Sequence, residues 1–179
     1  MFNALAGIQN LMNKNDTENA NRYLGRFARL TRNVLKNQER ISLEEEAALL
    51  EDYLQMEKLR FGFHYTISVD AAIAIANVEM PAMLLQPFVE NAVKHGVSGW
   101  QDKGRITIRF EKNNQDLILL ISDNGSGFEV EAPHPGLGLS LSRSRIALLN
   151  KVYKNTPILL HITSGPGGTE VKISLKHWL

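Results

Sequence analysis

A chain of 179 residues that is 44% apolar, 7% aromatic and 22% charged has the makeup of a folded globular protein, with room for one full core or for that core plus a smaller helical attachment. Twenty lysines and arginines against nineteen aspartates and glutamates argue against a globally basic nucleic-acid binder, and the absence of cysteine removes disulfides and thiolate metal sites. With no uninterrupted apolar run of roughly eighteen residues and no basic-then-apolar leader, the piece is expected to be soluble as given.

Residues 2–13 and 17–37 read as two helices joined by "NKND". Leu5, Ile8, Leu11 and Met12 stripe the first, and Tyr23, Phe27, Leu30 and Val34 the second. Single stripes of this kind need a third helix or another copy of the chain to cover them. Arg22, Arg26, Arg29, Arg32 and Lys36 recur every three or four positions, a basic face that either guides an acidic partner or simply meets water. Ser42 followed by Glu45 is a capping-box signature, opening a helix that runs to about Arg60 and ends at Gly62.

Past Arg60 the character changes. "FHYTISV" reads as a strand, 82–95 as a helix, "RITIRF" as an alternating strand and "DLILLIS" as an apolar central strand. A glycine-rich interval, 124–138, interrupted by Pro133 and Pro135, precedes a helix from about Leu139 to Tyr153. Two closing strands, "PILLHIT" and "TEVKISL", flank the turn signal "SGPGG". This order predicts an α+β fold, a two-layer sandwich whose mixed sheet is covered by helices on one face, with a helical region in front and the boundary near Arg60.

Four stretches concentrate polar chemistry. In "FVENAVKHG", Glu90 stands one turn before Lys94 and Asn91 one turn before His95, either as a solvated face with an ion pair or with Asn91 offering an oxygen to a hard cation. In "ISDNGSGF", Asp123 ends the central strand ahead of Gly125 and Gly127, where backbone can approach a ligand closely. A plain Asp-Asn-Gly hairpin turn is the alternative, although no apolar strand follows. In "GLGLSLSRSR", Gly136 and Gly138 sit where a loop enters a helix, whose free N–H groups suit phosphate oxygens; Arg143 and Arg145 follow, either neutralising phosphate or facing water. In "GPGGTEV", Thr169 opens the last strand, as part of a turn or as the floor of a base pocket.

Taken together these stretches resemble the LytS/YehU-like class of sensor histidine kinases, whose ATP-binding domain is shared with DNA gyrase, Hsp90 and MutL. "LLQPFVENAVKHG" is similar to the asparagine box of that class, "DNGSG" to the first glycine box, "GLGL" to the second and "GGTEV" to the last, while "DYLQMEKLRF" resembles its link between helical and ATP-binding regions. The resemblance implies ATP and Mg2+ as ligands, with residues 1–60 a helical dimerisation and linker region and 61–179 the ATP-binding domain. It makes Asn91 the magnesium ligand, with Glu90 acting on the ion's water shell or on the phosphoacceptor, and Lys94 and His95 near the phosphates. Asp123 is implied to bind the adenine amino group, with Thr169 beside it, Gly125 and Gly127 shaping the base pocket, Gly136 and Gly138 closing as a lid, and Arg145 matching an arginine common in the helix that follows.

The implied activity is transfer of the γ-phosphoryl of Mg-ATP to a histidine. In the class that histidine stands in a segment like "NPHFLFN", and "MFN" at the start resembles its tail, so the acceptor is expected upstream of Met1. His64, His95, His134, His161 and His177 offer no replacement. Gyrase-like ATPases place a water-activating carboxylate one turn before the asparagine, where this chain has Pro87, which favours kinase over hydrolase. Leu141 departs from the class, which has an asparagine there. The resemblance further implies a homodimer, a response-regulator partner, no nucleic acid, and the cytoplasmic portion of an inner-membrane sensor whose spans lie upstream. A serine kinase on the same fold and a nonenzymatic nucleotide-responsive dimerisation module are the rival readings.

Overall fold

In the computed structural model, which describes residues 2–35, 38–129 and 137–179, the stripes of the first two helices close in part on a third; Met12 is exposed, and the side chains of Leu5 and Val34 lie outside the described residues. Helix α1 (Phe2–Asn13) and helix α2 (Thr17–Leu35) form a hairpin whose second arm is capped by Asp16, which accepts a hydrogen bond from the Asn19 N–H. Leu11, Ala20 and Tyr23 pack on Met56 of α3 (Leu43–Phe61), so the partner that the stripes require is found within the chain. Ser42 and Glu45 form the expected reciprocal cap at the start of α3, and Gly62, at φ 75°, ends the helix.

The opposite side of α3 belongs to a different core. Leu43, Leu50, Tyr53 and Leu54 join Phe63, Val89, Ile108 and Ile173 in one buried cluster. Arg60 thus marks a change from helical to sheet-forming sequence, while packing is continuous through α3 on both sides of it.

Five strands make the main sheet: β2 (His64–Val69), β4 (Arg105–Asn113), β5 (Asp116–Asp123), β6 (Ile158–Gly165) and β7 (Gly168–Leu175), in the order β2-β4-β5-β7-β6. The β2–β4 pair is parallel and the other pairs antiparallel, giving the mixed sheet expected. β5 is central, as its apolar run implies; Leu117, Leu119 and Ile121 face the helices, and Ile118 and Leu120 are buried on the other side. That outer face otherwise carries Arg109, His161, Lys172 and Glu170, all exposed. A two-stranded ribbon, β1 (Arg40–Ser42) with β3 (Glu79–Pro81), is absent from the sequence reading because three residues are too few to show alternation.

The helix expected over 82–95 is corrected at both ends. α4 spans only Gln86–Asn91 and continues as a π-wound turn, Ala92–Val97. A helix begun at Ala82 would drive the ring of Pro87 against the carbonyl of Met83, four residues back. Met83 instead takes φ 56° and the helix starts after it. Together with α5 (Leu137–Val152), these elements cover the inner face of the sheet.

Candidate functional site

Three stretches far apart in sequence meet at the end of β5. Asp123 is its last residue, in register with Thr169 on β7 and Ile106 on β4, and therefore on the helix-covered face. Gly96 of the π turn packs onto the carboxylate so closely that a Cβ there would lie 2.6 Å from Asp123 Cγ. Gly125 in turn leaves no room for a side chain: its Cβ would stand 2.4 Å from the Gly96 oxygen. Gly168, at φ 120°, abuts the Asp123 carbonyl in the same way.

The Asp-Asn-Gly stretch does not turn a hairpin. Asp123 Oδ1 accepts the Gly125 N–H at 2.9 Å, and the Thr169 N–H lies near enough to favour the charged carboxylate. Asn124 ties off the neighbouring strand, accepting the Arg105 N–H at 2.7 Å and donating to the Lys103 carbonyl at 2.9 Å. The chain then leaves the sheet past Gly127, held where Phe128 N–H donates to Ser164 Oγ. Ser164 Oγ lies 2.8 Å from Thr169 Oγ1, so the two hydroxyls stand beside the aspartate as one polar group. Burial raises the Asp123 carboxyl above its ordinary pKa, against the two backbone donors that lower it.

The side chain of Asn91, partly buried at the end of α4, has no hydrogen-bond partner among the described residues. Its Oδ1 lies 3.8 Å from where a Cβ of Gly138 would stand, which puts the first turn of α5 directly over it. Gly136, and with it His134 and the prolines of the interval, lies outside the described residues. Leu139 and Ser142 are buried and Ser142 Oγ donates to the Gly138 carbonyl, while Leu141 is 60% exposed.

Other expected residues face elsewhere. Glu90 and Lys94 form a 2.7 Å ion pair on the outer side of α4, lining a cavity of ≈ 520 Å³ shared with α2 and α3. His95 is exposed. Arg145 departs furthest from its expected place: its guanidinium donates to the carbonyls of Ala82 and Met83, and its planar fork is committed to that turn. The basic face of α2 is engaged in ion pairs in part: Arg29 Nε lies 2.8 Å from Asp52 of α3 and the less exposed Arg26 pairs to the same carboxylate, while Arg22 pairs to Glu18 at the surface. Lys36 lies outside the described residues.

Sequence reasoning passed over Ser164; it placed Gly168 with Gly167 and Thr169 at the opening of the last strand and Gly96 at the end of "FVENAVKHG", without a site role for either glycine. Gly96 had a signal, since a glycine closing "NAVKHG" inside a helical run is out of place unless something approaches it.

Residues 77–178 match the family described as histidine kinase-, DNA gyrase B-, and HSP90-like ATPase, and residues 1–65 match the family described as histidine kinase. The chain belongs to the histidine-kinase family. It carries the ATP-binding catalytic domain of a two-component sensor histidine kinase. Among similar histidine kinases, Sensor histidine kinase BtsS of Escherichia coli K12 is 34% identical over 140 residues, covering 76% of this chain and 24% of that protein. Sensor histidine kinase YpdA of the same organism is 30% identical over 177 residues, covering 96% of this chain and 31% of that protein. The chain thus spans 24% to 31% of the length of these relatives. Acinetobacter baumannii histidine kinase AdeS shares the fold, with TM-score 0.58 at 14% identity over 94% of this chain and 83% of that one. No described helix is long and apolar enough to cross a membrane.

Proposed function

We propose that the chain binds Mg-ATP at the meeting point of Asn91, Asp123 and Gly138 and transfers the γ-phosphoryl to a histidine upstream of residue 1, as in the LytS/YehU-like class. The observation that carries this is the convergence itself. Gly96 touches the Asp123 carboxylate and Gly138 stands over Asn91, so one ligand can reach all three.

The residues fit the ligand at both ends. Asp123, ionised, is an acceptor for the exocyclic amine of adenine, with Thr169 and Ser164 hydroxyls adjacent and the glycines at 96, 125 and 168 letting backbone close around the carboxylate. Asn91 offers an unengaged amide oxygen. No group of three or more acidic or histidine side chains able to hold a metal occurs among the described residues, which suits an ion that takes one or two protein oxygens and completes its shell with phosphates and water. Held by Asn91, magnesium would offset the charge on the phosphate oxygens. The N–H groups at the start of α5, around Gly138, bind and orient the phosphates. His95, exposed on the π-wound turn that follows Asn91, is free to swing toward them from solvent.

Glu90 and Lys94 open toward the cavity between α4 and the helical region. A nucleophile presented by that region would meet Glu90 first, which favours action on the phosphoacceptor over action on the ion's water. A neutral imidazole needs orientation more than a strong base, and Glu90, paired with Lys94, suits orientation. Residues 1–60 serve as the helical dimerisation and linker part and 61–179 as the catalytic part, with α3 packed into both cores. A homodimer, a response regulator as next acceptor, and attachment to the inner membrane through upstream spans complete the reading.

Labelled ATP given to a chain extended upstream tests it. Label on the upstream histidine, lost when Asn91 becomes Ala, is the expected result. Tight Mg-ATP binding with no label on that histidine would favour the nonenzymatic dimerisation module, to which the exposed Leu141 lends itself.

A further inference from the structure

Glu46 is the most deeply buried carboxylate of the described residues, only 1% exposed, and none of the chemistry above uses it. It sits on α3, and both its oxygens are engaged across a long sequence gap. Oε2 accepts the Met83 N–H at 3.0 Å and Oε1 the Leu85 N–H at 3.1 Å. The other side of the same turn is held from α5, where Arg145 donates to the carbonyls of Met83 and Ala82. Arg145 is also the charge that offsets part of the burial of Glu46.

The turn between them is one that would not hold its shape alone. Met83 stands at φ 56°, a left-handed conformation unfavourable for a side chain of its size, and Pro81 and Pro87 deprive the segment of two backbone donors. From this turn α4 starts, and α4 ends at Asn91. The Leu85 N–H that Glu46 accepts belongs to the residue at which the helix begins.

We infer that Glu46 is a positioning residue: with Arg145 it clamps the left-handed turn at Met83 and so sets where Asn91 points. The clamp ties three elements to the magnesium end of the site: the linker helix α3, the helix α4 that bears Asn91, and α5 whose first turn covers it. The adenine end hangs chiefly on β5 and β7 and meets the continuation of α4 only through Gly96, so it depends on the clamp less than Asn91 does. This rests on the nucleotide reading for its consequence in binding, and on the fold alone for its effect on Asn91.

The experiment uses the full chain with Glu46→Gln, with Arg145→Lys, and with Glu46→Gln plus Met83→Gly. Two quantities are read: the side-chain amide resonances of Asn91 without nucleotide, and affinities for Mg-ATP and for Mg-free ADP. Glutamine keeps the shape but turns an amine toward one of the two N–H donors, so the Asn91 resonances move and Mg-ATP binding weakens about tenfold while Mg-free ADP changes less than about twofold. Glycine at position 83 adopts the turn without strain, so the double variant returns to within about threefold of the original Mg-ATP affinity. Asn91 resonances that stay in place in the single variants, or equal loss of both nucleotides without rescue by glycine, overturn the inference. A parent chain that ignores Mg-ATP while the Asn91 resonances still respond to Glu46→Gln supports the clamp and sinks the nucleotide reading.

Discussion

Replacing Gly96 by Ala is the most discriminating single perturbation of the site. The new methyl would lie 2.6 Å from Asp123 Cγ and 2.7 Å from Oδ1, distances that real side chains do not tolerate. The backbone itself accepts alanine, because the positive-φ glycines are Gly62, Gly127 and Gly168 and not Gly96, and helical propensity favours the change by about 1 kcal/mol. The carboxylate must therefore rotate away, and rotation breaks its 2.9 Å bond from the Gly125 N–H, a charge-assisted bond of about 1.5–3 kcal/mol. The two effects leave a net loss of about 0.5–2 kcal/mol of stability, so the variant folds. The adenine amine, however, loses its acceptor, and affinity falls by about tenfold to a hundredfold. Calorimetric titration with Mg-ATP and with Mg-GTP, which presents a carbonyl where adenine has its amine, reads this directly. The preference for ATP should shrink in Gly96→Ala and persist in Gly99→Ala, where a Cβ meets nothing within 4 Å. A folded Gly96→Ala chain with unchanged ATP affinity and preference would refute the assignment of Asp123 to the base.

Nucleotide binding should also depend on pH through Asp123. Its pKa is raised by burial, so as pH falls from about 7 toward 4 the acceptor is lost above the ordinary carboxylate range, and affinity then drops by up to about tenfold per pH unit. The free fold behaves oppositely: a carboxyl raised in the folded state contributes stability that is present below its unfolded pKa and is lost as pH rises through the folded one. Titrations across that range check this, and Asp123→Asn should flatten the affinity profile. Asn91→Ala should abolish the magnesium-dependent part of ATP binding while leaving Mg-free ADP binding in place; identical titration curves with and without magnesium, in both chains, would remove Asn91 from that role. Ser42→Ala breaks the reciprocal cap of α3, and should lower stability by about 1 kcal/mol in thermal unfolding without altering nucleotide affinity.

The parts of the fold legible in the sequence are those written by local chemistry. Ser42 and Glu45 announce α3 because a capping box is a four-residue affair, and "DLILLIS" announces the central strand because both faces of β5 are buried. Asp123 stands out in the sequence as a candidate because a carboxylate ending such a strand before two glycines is followed by no apolar strand that a hairpin would need. What the sequence hides is set by residues far apart. Pro87 alone does not reveal that Met83 turns left-handed, since that depends on Glu46 and Arg145 reaching it from other helices. Arg145 reads from its position after "GLGL" either as neutralising phosphate or as facing water, and only the packing of α5 against the 82–85 turn commits it to backbone carbonyls. The basic stripe of α2 is likewise periodic in sequence, yet Asp52 on α3 pairs with two of its arginines, Arg26 and Arg29. The role of Gly96 belongs to the same class, because its neighbour in space is the aspartate that ends β5.

Amide shift mapping of the chain with Mg-ATP tests the central claim most directly. Saturable shifts gathered at Asn91, Gly96, Asp123, Gly125, Gly138 and Thr169, with the Asp123 and Thr169 changes surviving when Mg-free ADP is used, are the predicted result. Shifts confined to the cavity between α2, α3 and α4, around Leu30, Tyr53 and Met56, or no saturable response at millimolar nucleotide, would contradict it.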